Sequence, residues 1–173
     1  MAQVILSVIG SDRPGLTQAV ADAVLAAGGN WLESHLSQLA GLYVGAVLVE
    51  LDAGQLDALR AGVSAIDARG LDVRLTPVLA PAKPAAGEAL TLNVVGADRL
   101  GIVRQVSAAL AALNVNIETF ETRIVPEANT GAPLFDATAH LRLPAGLKPA
   151  AVQAALEAIS AEIMVDITLE RKG

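Results

Sequence analysis

The stretch Val8-Ile9-Gly10-Ser11-Asp12-Arg13-Pro14-Gly15-Leu16 returns 86 positions later as Val94-Val95-Gly96-Ala97-Asp98-Arg99-Leu100-Gly101-Ile102. The match continues downstream. Leu16, Val20, Val24 and Ala27 fall on Ile102, Val106, Leu110 and Leu113, and Asn30 falls on Asn116. Farther on, Leu51, Ala53 and Gly54 fall on Leu143, Ala145 and Gly146, now at an offset of 92. The six extra residues lie within Pro126–Pro133, a loop bounded by proline and glycine. Chance can supply one Gly-x-Asp-Arg-x-Gly, but it rarely keeps a helix face in register behind it. The chain therefore reads as a tandem duplication.

Each copy has the same order of elements. In the first, Val4–Ile9 is a short β-branched run expected to form a buried strand. Gly10–Pro14 reads as a turn. Leu16, Val20, Val24 and Ala27 then mark one stripe of a helix that Gly28-Gly29 ends. Trp31–Leu39 and Leu42–Leu51 read as two strands joined tightly at Ala40-Gly41. Leu56, Leu59, Val63 and Ile66 mark a second helix, and Leu71–Leu79 a last strand. The second copy gives strand Leu90–Val95, helix Leu100–Leu113, strands Ile117–Val125 and Leu134–Leu143, a helix through Val152, Leu156, Ile159 and Ile163, and strand Met164–Leu169. The expected fold class is α+β: two ferredoxin-like βαββαβ domains, each a sheet with both helices on one face. The domains are placed at residues 1–79 and 89–173. The Pro/Ala segment 80–88 between them has a linker composition. A unit of this size buries a modest core, so open sheet faces or edges are the expected sites of self-association.

Composition excludes several functions. The 173 residues carry 12 Lys and Arg against 18 Asp and Glu, a net charge of −6. That balance opposes phosphate-backbone binding, and one Trp, one Tyr and two Phe are too few for a base-stacking platform. With no cysteine there is no disulfide, thiol nucleophile or Cys-ligated metal. The start Met1-Ala2-Gln3-Val4-Ile5-Leu6 lacks a basic n-region, and the longest stretch free of charged residues, 34–49, contains Ser34, His35, Ser37 and Gln38. Neither a signal peptide nor a membrane span is expected, which favours a cytoplasmic protein.

No catalytic set emerges, no metal site is expected and no cofactor is called for. His35 and His140 do not correspond between copies and have no carboxylate at ligand spacing. No zinc-protease, nucleophile-elbow or Walker-type motif is present. The loop after strand one is the place where both copies hold the same unusual residues: Asp12, Arg13, Pro14, Gly15, Leu16 and Thr17 in one, Asp98, Arg99, Leu100, Gly101 and Ile102 in the other. Gly10 and Gly96 are read as allowing a sharp turn, and Gly15 and Gly101 as bare positions in the first helical turn. Amides there lack intrahelical partners and the helix dipole is positive, which suits a carboxylate. The aspartate can accept from an ammonium group, so a small amino acid such as glycine meets both ends. Two readings stay open: this ligand site, or Asp12 and Asp98 serving as helix N-caps. Asn30 and Asn116 follow the first helix of each copy, as turn residues or as amides that reach a ligand in the facing copy.

A βαββαβ unit with Gly-x-Asp-Arg-x-Gly after strand one resembles an ACT domain. Two such units, a Pro/Ala linker and the insertion ending Ala132-Pro133-Leu134-Phe135 resemble the glycine cleavage system transcriptional repressor family. The resemblance implies a non-enzymatic, amino-acid-responsive regulator. It implies control through a protein partner, a DNA-binding transcription activator, without direct nucleic-acid contact, and a homo-oligomeric assembly. It places the ligand loops at Gly10–Thr17 and Gly96–Val103 with Asn30 and Asn116 facing them. Copy one has Pro14 where copy two has Leu100, and Trp31 where copy two has Ile117, so the two sites need not be equivalent. Rival readings are a regulatory subunit docked on an amino-acid metabolic enzyme and a ligand-free dimerisation module.

Overall fold

A computed structural model describes residues 1–67, 70–79 and 87–171, the side chain of Asp67 excepted. The first copy runs β1 (Ala2–Ser11), α1 (Leu16–Ala26), β2 (Asn30–Leu39), β3 (Leu42–Leu51), α2 (Leu56–Asp67) and β4 (Leu71–Pro77). The second runs β5 (Ala89–Ala97), α3 (Ile102–Ala112), β6 (Asn116–Pro126), β7 (Pro133–Arg142), α4 (Pro149–Ile163) and β8 (Val165–Arg171). The chain divides into two compact units, Met1–Ala82 and Lys83–Gly173. Residues 80–86 of the expected linker lie outside the described residues. Within the second unit, the Leu143 N–H donates to the Glu88 carbonyl at 3.0 Å.

The sheets are antiparallel, ordered β2-β3-β1-β4 and β6-β7-β5-β8. Alternation along each central strand sends one set of side chains toward the helices. In β1 these are Val4, Leu6 and Val8, packed with Leu16, Val20 and Val24 of α1 and Leu59 and Val63 of α2. In β5 they are Leu90, Leu92 and Val94, with Ile102, Val106 and Leu110 of α3 and Val152 and Leu156 of α4. Burying each such side chain contributes about 1.5–3 kcal/mol. Among the described residues no polar or charged one is buried. The faces turned away from each unit's own helices differ. Ile5 and Ile9 stand there in the first unit. In the second, Asn93 Oδ1 accepts from Thr138 Oγ1 at 3.1 Å.

The duplication and its βαββαβ order hold, with shifts at the ends that have local causes. β1 reaches Ser11 because Gly10 and Ser11 still pair with Tyr43 and Leu42, so the turn starts at Asp12 and not at Gly10. α3 starts at Ile102 and not at Leu100, because Gly101 has φ +97° and cannot be helical. β8 starts after Met164, whose φ of +51° ends α4. Gly10 and Gly96 do not make a turn. They sit in strands paired with Leu71 and Val165, where the last strand of each unit enters the sheet. A Cβ on Gly10 would lie 2.6 Å from the Gly70 carbonyl oxygen, and one on Gly96 2.5 Å from that of Met164. The obstacle is backbone, so the chain must shift to admit it.

Gly10→Ala and Gly96→Ala are each expected to destabilise their unit by roughly 1–3 kcal/mol, as overpacking does. The urea midpoint of unfolding measures this. A change below a few tenths would mean that the last strand relaxes freely.

Candidate functional site

The turn between β1 and α1 is built the same way in both units. The Asp12 N–H donates to the Gly41 carbonyl of the β2–β3 hairpin at 3.1 Å, and the Asp98 N–H to the Pro133 carbonyl at 3.0 Å. This ties the loop to the neighbouring hairpin. The chain then enters the helix through a left-handed glycine, Gly15 at φ +92° and Gly101 at φ +97°. The first helical hydrogen bonds run from Ala19 N–H to the Gly15 carbonyl and from Gln105 N–H to the Gly101 carbonyl, both 2.9 Å. Amides 16–18 and 102–104 precede those bonds and have no carbonyl partner within the helix.

This geometry decides against the capping reading. The N-cap residues are Gly15 and Gly101, and neither helix start has a side-chain cap hydrogen bond. Asp12 and Asp98 lie three residues before the N-cap. The two glycines are outside the first helical turn, and packing does not require them bare, since a Cβ on either would meet nothing within 4 Å. Their positive φ is the constraint, because an L side chain in that region is strained. Both exposed Asp residues are thus left beside a bare backbone with a helix dipole behind it.

In the second unit the loop borders an open groove of about 700 Å³, within the range of small-molecule sites. Asp98, Arg99, Leu100, Gly101 and Ile102 line one side, and Val103, Ile124 and Phe135 are among the remainder. In the first unit, Thr17 Oγ1 and Tyr43 Oη are hydrogen-bonded at 2.8 Å beside the loop. Residues 98–102 thus line one groove, and of residues 12–17 it is Thr17 that bonds a hairpin side chain.

Asn30 and Asn116 are not part of these clusters. Asn30 pairs with Glu50 on β3, while Gly10 pairs with Tyr43. Seven strand residues separate the two levels, about 23 Å at the rise of a β-strand. Asn116 pairs with Arg142 and Gly96 with Phe135, the same separation. Within one unit each amide thus lies at the far end of the sheet from that unit's own loop. A correction concerns His35. Its Nε2 lies 3.0 Å from Glu33 Oε1, because two strand residues apart share a face. Both side chains are largely exposed. His140 Nδ1 lies 3.3 Å from Thr91 Oγ1. Among the described residues no cluster of three His, Asp or Glu could hold a metal, and no helix is long and apolar enough to cross a membrane.

The sequence reading missed Ile124 and Phe135, which line the groove, and Tyr43, which is bonded to Thr17. The repeat offsets identify them, since 38 falls on 124 and 43 on 135.

The topology and the glycine-capped turn define a tandem pair of ferredoxin-like units. Residues 2–76 match the ACT domain family, and the second unit repeats the βαββαβ order and the strand order of the first. Among solved structures, one of an unknown protein from Galdieria sulphuraria is 28% identical, with a TM-score of 0.86 over 99% of each chain. A second, of a candidate glycine cleavage system transcriptional repressor, is 15% identical. Its TM-score is 0.72 over 99% of this chain and 97% of that one. At that identity the likeness shows the fold. No curated protein matches the chain.

Asp12→Ala and Asp98→Ala are expected to change stability by no more than about 0.5 kcal/mol, as surface changes do. Gly15→Ala and Gly101→Ala should cost about 1–2 kcal/mol through left-handed strain alone. Guanidinium unfolding of the four variants checks both statements. A loss of a full kilocalorie at either aspartate would restore the capping role.

Proposed function

We propose that the chain is a non-enzymatic, cytoplasmic, amino-acid-responsive regulator of the glycine cleavage repressor type. It works as a homo-oligomer through a protein partner such as a DNA-binding activator, and it does not contact nucleic acid itself. One observation carries the reading. Both units present an aspartate, uncapped helical amides and a glycine with no side chain, in the same order at the same turn. An α-amino acid is the ligand whose two charged ends suit that order: its carboxylate on the amides, its ammonium on the aspartate. The net charge of −6 fits a partner other than nucleic acid.

Charge-assisted hydrogen bonds contribute about 1.5–3 kcal/mol each. A sensor working between micromolar and millimolar concentrations needs only about 4–8 kcal/mol in all, so three or four contacts suffice after binding losses. Binding controls a partner only if the ligand prefers one of two arrangements of the protein.

A thermal-shift screen against the common amino acids tests the reading. A ligand at 100 times its dissociation constant stabilises by about 2.7 kcal/mol. The midpoint should rise with at least one amino acid, and Asp12→Ala or Asp98→Ala should abolish the rise. If none raises it, the protein is a ligand-free interaction module. A pull-down that recovers an amino-acid enzyme and no transcription factor would replace the repressor reading by that of a docked subunit.

A further inference from the structure

The two loops are alike, but the walls beside them are not. Repeat correspondence puts Thr17 on Val103, Gln38 on Ile124 and Tyr43 on Phe135. The pairing confirms the last two: Gln38 pairs with Tyr43, and Ile124 with Phe135. Tyr43 and Phe135 occupy the same place opposite Gly10 and Gly96. All three positions are polar in the first unit and apolar in the second. In the first, the Thr17 and Tyr43 hydroxyls are joined at 2.8 Å. In the second, Val103, Ile124 and Phe135 line the groove beside Asp98, Arg99 and Leu100. Ile124 is 54% exposed and Leu100 fully so. With Val103 and Phe135 they make that wall apolar.

We infer that the two units select different amino acids, the second taking one with a branched aliphatic side chain and the first a small or hydroxylated one. The inference rests on the amino-acid reading above and assigns specificity to the three wall positions. With the ligand's charged ends held at the loop, its side chain lies on the wall. In the second unit Val103, Ile124 and Phe135 cover an aliphatic group, and Arg99 and Arg104 at the rim complement its carboxylate. In the first unit an aliphatic side chain would strip water from the exposed Gln38 amide and from the remaining hydrogen-bonding capacity of the Thr17–Tyr43 pair, and offer nothing in exchange. A hydroxylated or absent side chain leaves them satisfied.

The test exchanges the walls in the full chain. One variant carries Val103→Thr, Ile124→Gln and Phe135→Tyr; the other carries Thr17→Val, Gln38→Ile and Tyr43→Phe. Each residue introduced already stands at the same place in the other copy, and Val103→Thr alone serves if Phe135→Tyr disturbs folding. Titration calorimetry uses glycine, serine, valine and leucine. The original chain should bind valine or leucine at one site per chain. The first variant should weaken that by about tenfold or more, the scale of apolar-pocket discrimination, while keeping glycine or serine binding. The second should gain another aliphatic site. Aliphatic binding unchanged by the first variant, or binding of glycine and serine alone, overturns the inference and leaves the amino-acid reading standing. Binding of no amino acid overturns both. An oligomer that falls apart in the first variant, without aliphatic binding in the original, would make the groove a contact between copies and also overturn it.

Discussion

The stripe Leu16-Val20-Val24 has to lie on Val4, Leu6 and Val8, and the β1–α1 turn depends on that packing. β1 is held on both sides, by β3 and by β4, so it cannot shift along the sheet. The chain must leave its end, clear the β2–β3 hairpin and return over the sheet within four residues. A glycine at φ +92° makes that reversal without a side chain. The same constraint acts on Ile102-Val106-Leu110 above Leu90, Leu92 and Val94, with Gly101 at φ +97°. An apolar core thus fixes the place and direction of a set of polar backbone groups.

That arrangement separates stability from recognition. The buried groups that hold each unit together are aliphatic apart from Phe135, and among the described residues none is polar. The groups suited to a charged ligand are exposed: two aspartates and the first-turn amides. A change at Asp12 or Asp98 therefore leaves the core intact. Tyr43 and Phe135 both pack on the helix side of their hairpin, against the apolar core of their unit.

The parts of the fold that follow from periodic burial were legible in the sequence. The helix stripes, the Ala40-Gly41 hairpin and the βαββαβ order all come from which side chains must face inward. The roles of the glycines were not legible, because they depend on backbone in another element. Gly10 is bare because Gly70 passes close to it, 60 residues along the chain. Gly15 is bare because of its φ, which no neighbour in sequence reveals. The candidate loops were found through repetition, but the function of their aspartates depended on whether a side chain caps the helix. The length of β2 carries Asn30 to the far end of the sheet from its own unit's loop. The wall residues could be found only by pairing the two copies position by position.

Amide chemical shifts followed during titration of the full chain with serine and with leucine test the account most directly, because the account places the ligand's carboxylate on backbone N–H groups. The amides of Leu16–Gln18, or of Ile102–Arg104, should move first and saturate together as each amino acid is added. Shifts confined to other regions, with those amides unmoved at saturation, would contradict it.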